Sequence, residues 1–215
     1  MIVIDCEQNT PEWMAARLGR ITASNMEKII TPTGKKSTQC ERYISKLIAE
    51  RITGDSSSWQ GNIHTDRGHE LEDEAAAYYS MLRGVELQKV GFFLSDDGIM
   101  GSSPDRLVDD DGMLEIKTCL PELMVEQYEK QKLEQEHKPQ TQCSLCVTGR
   151  VWIDTMLYCP KMKPLVVRSY KDSDFTAEMV RLVMEANSSM NRRMSFLIEN
   201  GYAESTAKES DQTHD

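Results

Sequence analysis

At Gly84 the hydrophobic pattern of the chain changes its period. Before that point apolar residues recur at helical spacing. After it come three short apolar runs, 85–94, 99–108 and 113–117, separated by Asp-Asp-Gly and Asp-Asp-Asp-Gly turns. Short apolar runs between tight Asp/Gly turns read as strands joined by hairpins. A chain that carries such a meander between helical segments is confined to an α+β architecture.

The flanking segments carry their own punctuation. Thr10-Pro11-Glu12 predicts a capped helix with proline at its first position, and Gly19 ends it after Leu18. Ser24-Asn25-Met26-Glu27 fits a capping box, with Ser24 as the cap of a second short helix. Residues 31–37 form a turn-rich basic loop. Tyr43, Leu47, Ile48 and Ile52 have helical spacing up to Gly54, and a Ser-rich linker covers 55–62. A helix is expected over 66–83. Beyond the meander the pattern predicts helices at 121–136 and 139–148, strands at 150–159 and 165–170, and a long helix at 173–200. The expectation is one domain, 1–203, with a central mixed β-sheet flanked by helices, and a disordered polar tail at 204–215.

Composition narrows the function classes. A chain of 215 residues, 39% hydrophobic and 28% charged, can bury a full core. No apolar run approaches the ~20 residues that span a bilayer, and no export signal opens the sequence, so a cytoplasmic setting is expected. In that setting the six cysteines are read as reduced. Cys143 and Cys146 lack a second pair to complete a zinc site and are read as core-facing helix positions. The net charge of −10 argues against a broad basic nucleic-acid face. The charge is unevenly spread, however: 17–51 is net +5, whereas 61–115 is net −9. Nucleic acid could therefore be held locally.

The candidate chemistry lies at Ser103-Pro104-Asp105 and Leu114-Glu115-Ile116-Lys117. Adjacent strands would set Asp105 beside Glu115. Strand alternation points Glu115 and Lys117 to one face while Ile116 packs behind. Two carboxylates and an ammonium on one face suit Mg²⁺ or Mn²⁺, with the lysine placed to orient a water. The same spacing also fits a solvated acidic hairpin.

Pro104-Asp105 with Glu115-Ile116-Lys117 resembles the PD-(D/E)xK nuclease signature, and more specifically the lambda-type phage exonucleases of the YqaJ viral-recombinase family. Glu12-Trp13, the run 17–24, Arg67-Gly68-His69-Glu70-Leu71-Glu72 and Gln140-Thr141-Gln142 resemble further motifs of that family, in the same order. The resemblance implies a restriction-endonuclease-like core and a metal-dependent 5′→3′ exonuclease of double-stranded DNA. By the same resemblance Asp105, Glu115, the carbonyl of Ile116 and Glu72 hold Mg²⁺ or Mn²⁺, two ions per site. Lys117 activates the water, and Gln140 sits beside the centre. Arg17 and Ser24 grip a terminal 5′-phosphate, with Ser103, Lys35 and Lys36 as further DNA contacts. The loop at 31–36 lacks the arginine that the family carries there, and its lysines supply charge without a fork. Glu72, four residues after Gly68, is taken as the ligand ahead of His69 or His64, and His137 and His214 carry no motif support. A homotrimeric ring, a single-strand annealing partner and a phage or prophage origin are implied as well. A structure-specific endonuclease on the same core, or a non-catalytic DNA-binding scaffold, would share these motifs.

Overall fold

Thr10 caps the first helix, α1 (Pro11–Arg17), by accepting a hydrogen bond from the Trp13 amide, and Pro11 occupies the first turn. The chain then reverses at Gly19, whose φ is +64°. A Cβ there would lie 2.4 Å from the Arg51 side chain, so glycine alone fits against α2 (Cys40–Thr53). These features come from a computed structural model that describes residues 1–55 and 63–204, with 63–70 described as backbone only. Residues 56–62 of the expected linker and 205–215 of the expected tail lie outside the described residues.

The expected capping box at Ser24 does not form. A short strand, β2 (Ile21–Thr22), leads into a 3-10 helix, Ala23–Lys28, whose N-cap is Thr22. Ala23, Met26 and Ile29 are all buried. That spacing of three matches the eclipsed side chains of a 3-10 turn and favours it over an α-turn.

The meander is also divided. β1 (Ile2–Ile4), β4 (Phe92–Leu94), β5 (Met100–Ser102) and β2 make one sheet in the order β1-β4-β5-β2. The central sheet comprises β3 (Leu87–Gln88), β6 (Arg106–Val108), β7 (Gly112–Thr118), β8 (Trp152–Tyr158) and β9 (Leu165–Tyr170), in that spatial order. It is mixed, because β7 and β8 run parallel while their outer neighbours are antiparallel. The expected strands 85–94 and 99–108 each split between the two sheets. The N-terminal segment causes the split. It crosses so closely over Gly91 that a Cβ there would lie 2.4 Å from the Cys6 carbonyl. Gln8 Nε2 then donates to the carbonyls of Val90 (2.8 Å) and Pro104 (3.0 Å), one at each break. β1 itself is a three-residue edge strand with Ile2 and Val3 half exposed, so no buried periodicity marks it.

α3 (Ile63–Arg83) covers one face of the central sheet, where Ala75, Ala76 and Tyr79 pack against Val108, Leu114, Ile116 and Met156. The other face carries Leu107, Met113 and Ile153. They pack with α2, α5 (Leu133–Thr148) and α6 (Ser173–Glu199) in the largest core cluster. The helix boundary expected near 137–138 lies instead at Gln131, in left-handed conformation between α4 (Pro121–Lys130) and α5. Breaking there lets Met124 and Leu133 enter one buried cluster. α5 runs on through Pro139, which forgoes one intrahelical hydrogen bond. All six cysteines are free, and Cys143 is core on α5. Among the described residues no helix is long and apolar enough to cross a membrane.

Candidate active site

β6 and β7 pair Arg106 with Leu114, so Asp105, one residue before β6, stands opposite Glu115. Asp105 Oδ2 accepts from the Ile116 amide at 2.5 Å, which fixes the carboxylate against β7. Glu115 is 5% exposed. Its Oε1 accepts from Lys117 Nζ at 2.8 Å and from Gln140 Nε2 at 2.6 Å. Its Oε2 is buried and has no hydrogen-bond partner among the described residues. Burial, then the charges of Glu115 and Glu72, push the Asp105 carboxyl well above the ordinary aspartate range. Burial alone would depress the Lys117 ammonium, but Glu115 and Asp105 outweigh it and hold its pKa above the usual value. An orphaned carboxylate oxygen beside a second acid that is costly to ionise is an arrangement short of one cation. Hard oxygen donors of this kind suit Mg²⁺ or Mn²⁺.

Sequence alternation accounts for who joins this centre. Glu115 and Lys117 share the α5 face with Met113, and α5 supplies Gln140. Leu114 and Ile116 face α3. Glu72 belongs to α3, on the opposite side of the sheet, and its Oε1 accepts from Arg106 Nη1 at 2.7 Å. Among the described residues no three His, Cys, Asp or Glu side chains gather as metal ligands. The pair Asp105–Glu115 is therefore brought together, and the expected third acid is not gathered with it. A cleft of about 570 Å³ opens beside Asp105, Arg106, Glu72 and Asp73.

Arg17 and Ser24 are brought together as expected, although Ser24 reaches Arg17 from inside the 3-10 turn. Arg17 Nη2 donates to Ser24 Oγ at 2.8 Å, and the guanidinium stacks over Trp13 at 4.0 Å. Burial pulls its pKa below the ordinary arginine value, opposed by Tyr43, Glu115 and Glu50. The side chain lines a cavity of about 280 Å³ with Arg20, Asn25, Tyr43 and Lys46. Glu50 lines the same cavity and pairs with Lys46 at 3.5 Å, which leaves Arg17 and Arg20 as its cations without a carboxylate partner among the described residues.

The other expected contacts are committed elsewhere. Ser103 Oγ accepts from Trp13 Nε1 at 2.9 Å and donates to the Gly91 carbonyl, so it staples the break between the sheets. Lys36 pairs with Glu185 of α6 at 2.6 Å, and Lys35 is exposed on the same loop. The side chains of His64 and of 67–70, His69 among them, lie outside the described residues.

Two neighbours of the centre went unforeseen. His137 sits one turn before Gln140, and burial, then Lys117, lower its pKa. The only sequence signal for it is that spacing on α5. Arg106 is 5% exposed in the interior of the meander. An arginine opening the apolar run Leu107-Val108 was the available clue.

No curated protein sequence matches the chain. The alkaline exonuclease LHK-Exo from Laribacter hongkongensis superposes with a TM-score of 0.80 at 29% identity. The match covers 89% of this chain and 98% of that one. The complex of LHK-Exo with dAMP gives the same values. A phage related exonuclease from Haemophilus somnus 129PT has a TM-score of 0.67 at 15% identity, over 83% and 96% of the two chains, and shares the fold. The mixed α+β architecture is that of a PD-(D/E)xK-type exonuclease. The YqaJ-like viral recombinase domain matches residues 12–151, which hold most of α1, the central hairpin and all of α5. With nearly two thirds of its length matched, the chain belongs to the YqaJ-like viral recombinase domain family.

Proposed function

We propose that the chain is a metal-dependent exonuclease that degrades double-stranded DNA from the 5′ end, releasing mononucleotides and leaving a 3′ single strand. The observation that carries this reading is the orphaned Glu115 Oε2 beside Asp105 and Lys117, within electrostatic reach of the Arg17–Ser24 cavity. Asp105 and Glu115 would hold the divalent ion, Mg²⁺ or Mn²⁺, which would lower the pKa of water and offset charge on the attacked phosphate. Lys117, tied to Glu115 Oε1, orients the attacking water and stays protonated. Gln140 holds the same oxygen from α5, which leaves Oε2 as the oxygen that would be available to an ion. Arg17 and Ser24 anchor the terminal 5′-phosphate, which sets direction without contacts to bases.

End-labelled duplex, with and without a 5′-phosphate, in Mg²⁺ and in EDTA, tests the reading. Digestion should need the metal, run faster on the phosphorylated end and spare closed circular duplex. Equal rates on both ends would remove the Arg17–Ser24 role, and cutting of the circle would make the protein an endonuclease. Family membership further supports a homotrimeric ring and a single-strand annealing partner, which a subunit mass in solution and co-purification with the annealing protein would test.

A further inference from the structure

Arg106 is the one charged residue of β6, and the site as described leaves it without a role. Its Nη1 donates to Glu72 Oε1 at 2.7 Å and to the carbonyl of Asp105 at 2.5 Å. Its Nη2 donates to Asp73 Oδ1 at 2.5 Å, and Lys89 closes on the same carboxylate at 2.8 Å. The guanidinium is therefore forked between two consecutive acids of α3 and clamped to the backbone of the residue that carries the first metal-site carboxylate. An arginine does not surrender its proton inside a protein, so this charge is permanent. Glu72 is close enough to act on Asp105 electrostatically, yet no group of three acids forms among the described residues.

Two facts decide what such a cation does. A second divalent ion on the Glu72 side would meet a fixed positive charge already bonded there. Glu72 Oε1 is committed to that buried guanidinium, so ligating an ion through this oxygen would break the Arg106 pair. We infer that Arg106 is a resident cation that withholds Glu72 from the metal centre, so that the free protein takes one divalent ion per site, at Asp105 and Glu115. The inference rests on the proposed metal site and deepens it, because Arg106 then sets how many ions that site accepts.

Mn²⁺ binding to the full-length, metal-free protein without DNA tests this by calorimetry, with bound Mn²⁺ counted by electron paramagnetic resonance. The wild type should take one ion per chain. Arg106→Gln should gain a second ion, or tighten it by roughly tenfold or more. Glu72→Gln should change neither stoichiometry nor affinity in the wild-type background, and should cancel the gain when combined with Arg106→Gln. Two tight ions in the wild type, an ion lost in Glu72→Gln, or no gain in a folded Arg106→Gln would each overturn the inference. If Arg106→Gln does not fold, the Glu72→Gln result decides alone. Asp105→Asn, expected to abolish binding, reports separately on the underlying site. No saturable binding in the wild type would overturn the metal reading and this inference with it.

Discussion

Two buried carboxylates stand on neighbouring strands of the central sheet and face opposite ways. Asp154 on β8 is fully buried on the α3 face, paired in register with Leu114 of β7. Tyr79 donates to its Oδ2 at 2.6 Å, and Arg168 forks onto both oxygens at 2.7 and 3.0 Å. Arg168 in turn lies 3.5 Å over the Trp152 ring. Glu115 on β7 faces α5 and has one oxygen shared by Lys117 and Gln140 and one oxygen without a hydrogen-bond partner among the described residues. The difference separates architecture from chemistry. A carboxylate satisfied by its own chain locks a sheet to a helix. One left short in a cleft calls for a cation from outside.

The largest effect should come from the unsatisfied side. Lys117→Ala, or Glu115→Gln, should cut nuclease turnover by about 10²- to 10³-fold or more, and Glu115→Gln should melt no lower than the metal-free wild type. Retained turnover on end-labelled duplex, or a lower melting point in Glu115→Gln, would break the contrast. Asp154→Ala should do the reverse. Because Arg168 is 38% exposed and partly screened, the expected loss is about 2–3 kcal/mol in urea unfolding. The rate per folded molecule should be unchanged, and a shift in that rate would show the two faces to be coupled.

Gln140→Ala sharpens the comparison from the α5 side. It should weaken divalent-ion affinity by roughly 10- to 100-fold and leave unfolding nearly unmoved, as read by metal titration beside a melt. The smallest effect concerns His137. Its folded pKa lies below the ordinary value, chiefly by burial and then by Lys117. The unfolded chain therefore takes up this proton first as pH falls below about 6.5. The neutral form contributes stability that is present above that value and lost toward the depressed one. His137→Gln should reduce the fall in unfolding free energy between neutral and mildly acid pH, read by urea unfolding, by less than about 1 kcal/mol. An unchanged fall would remove His137 from the centre's electrostatics.

Much of this was legible because it is local. Thr10, Pro11 and Gly19 announced α1, Gly54 closed α2, and alternation around Ile116 put Glu115 and Lys117 on one face. The split meander was not legible. Gly91 and Pro104 lie inside the expected strands 85–94 and 99–108, and only Gln8, more than eighty residues before Val90, makes them a junction between two sheets. The capping reading of Ser24 failed because period-three burial of Ala23, Met26 and Ile29 outweighed a local hydrogen bond.

The sequence by itself determined an α+β chain with a carboxylate pair and a lysine on a central hairpin, since period, turn chemistry and spacing are properties of neighbouring residues. Tertiary structure alone decided that His137 lies beside that pair while Glu72 turns to Arg106. Those choices depend on which helix lies on which face of the sheet, and packing of distant segments sets that, not local spacing.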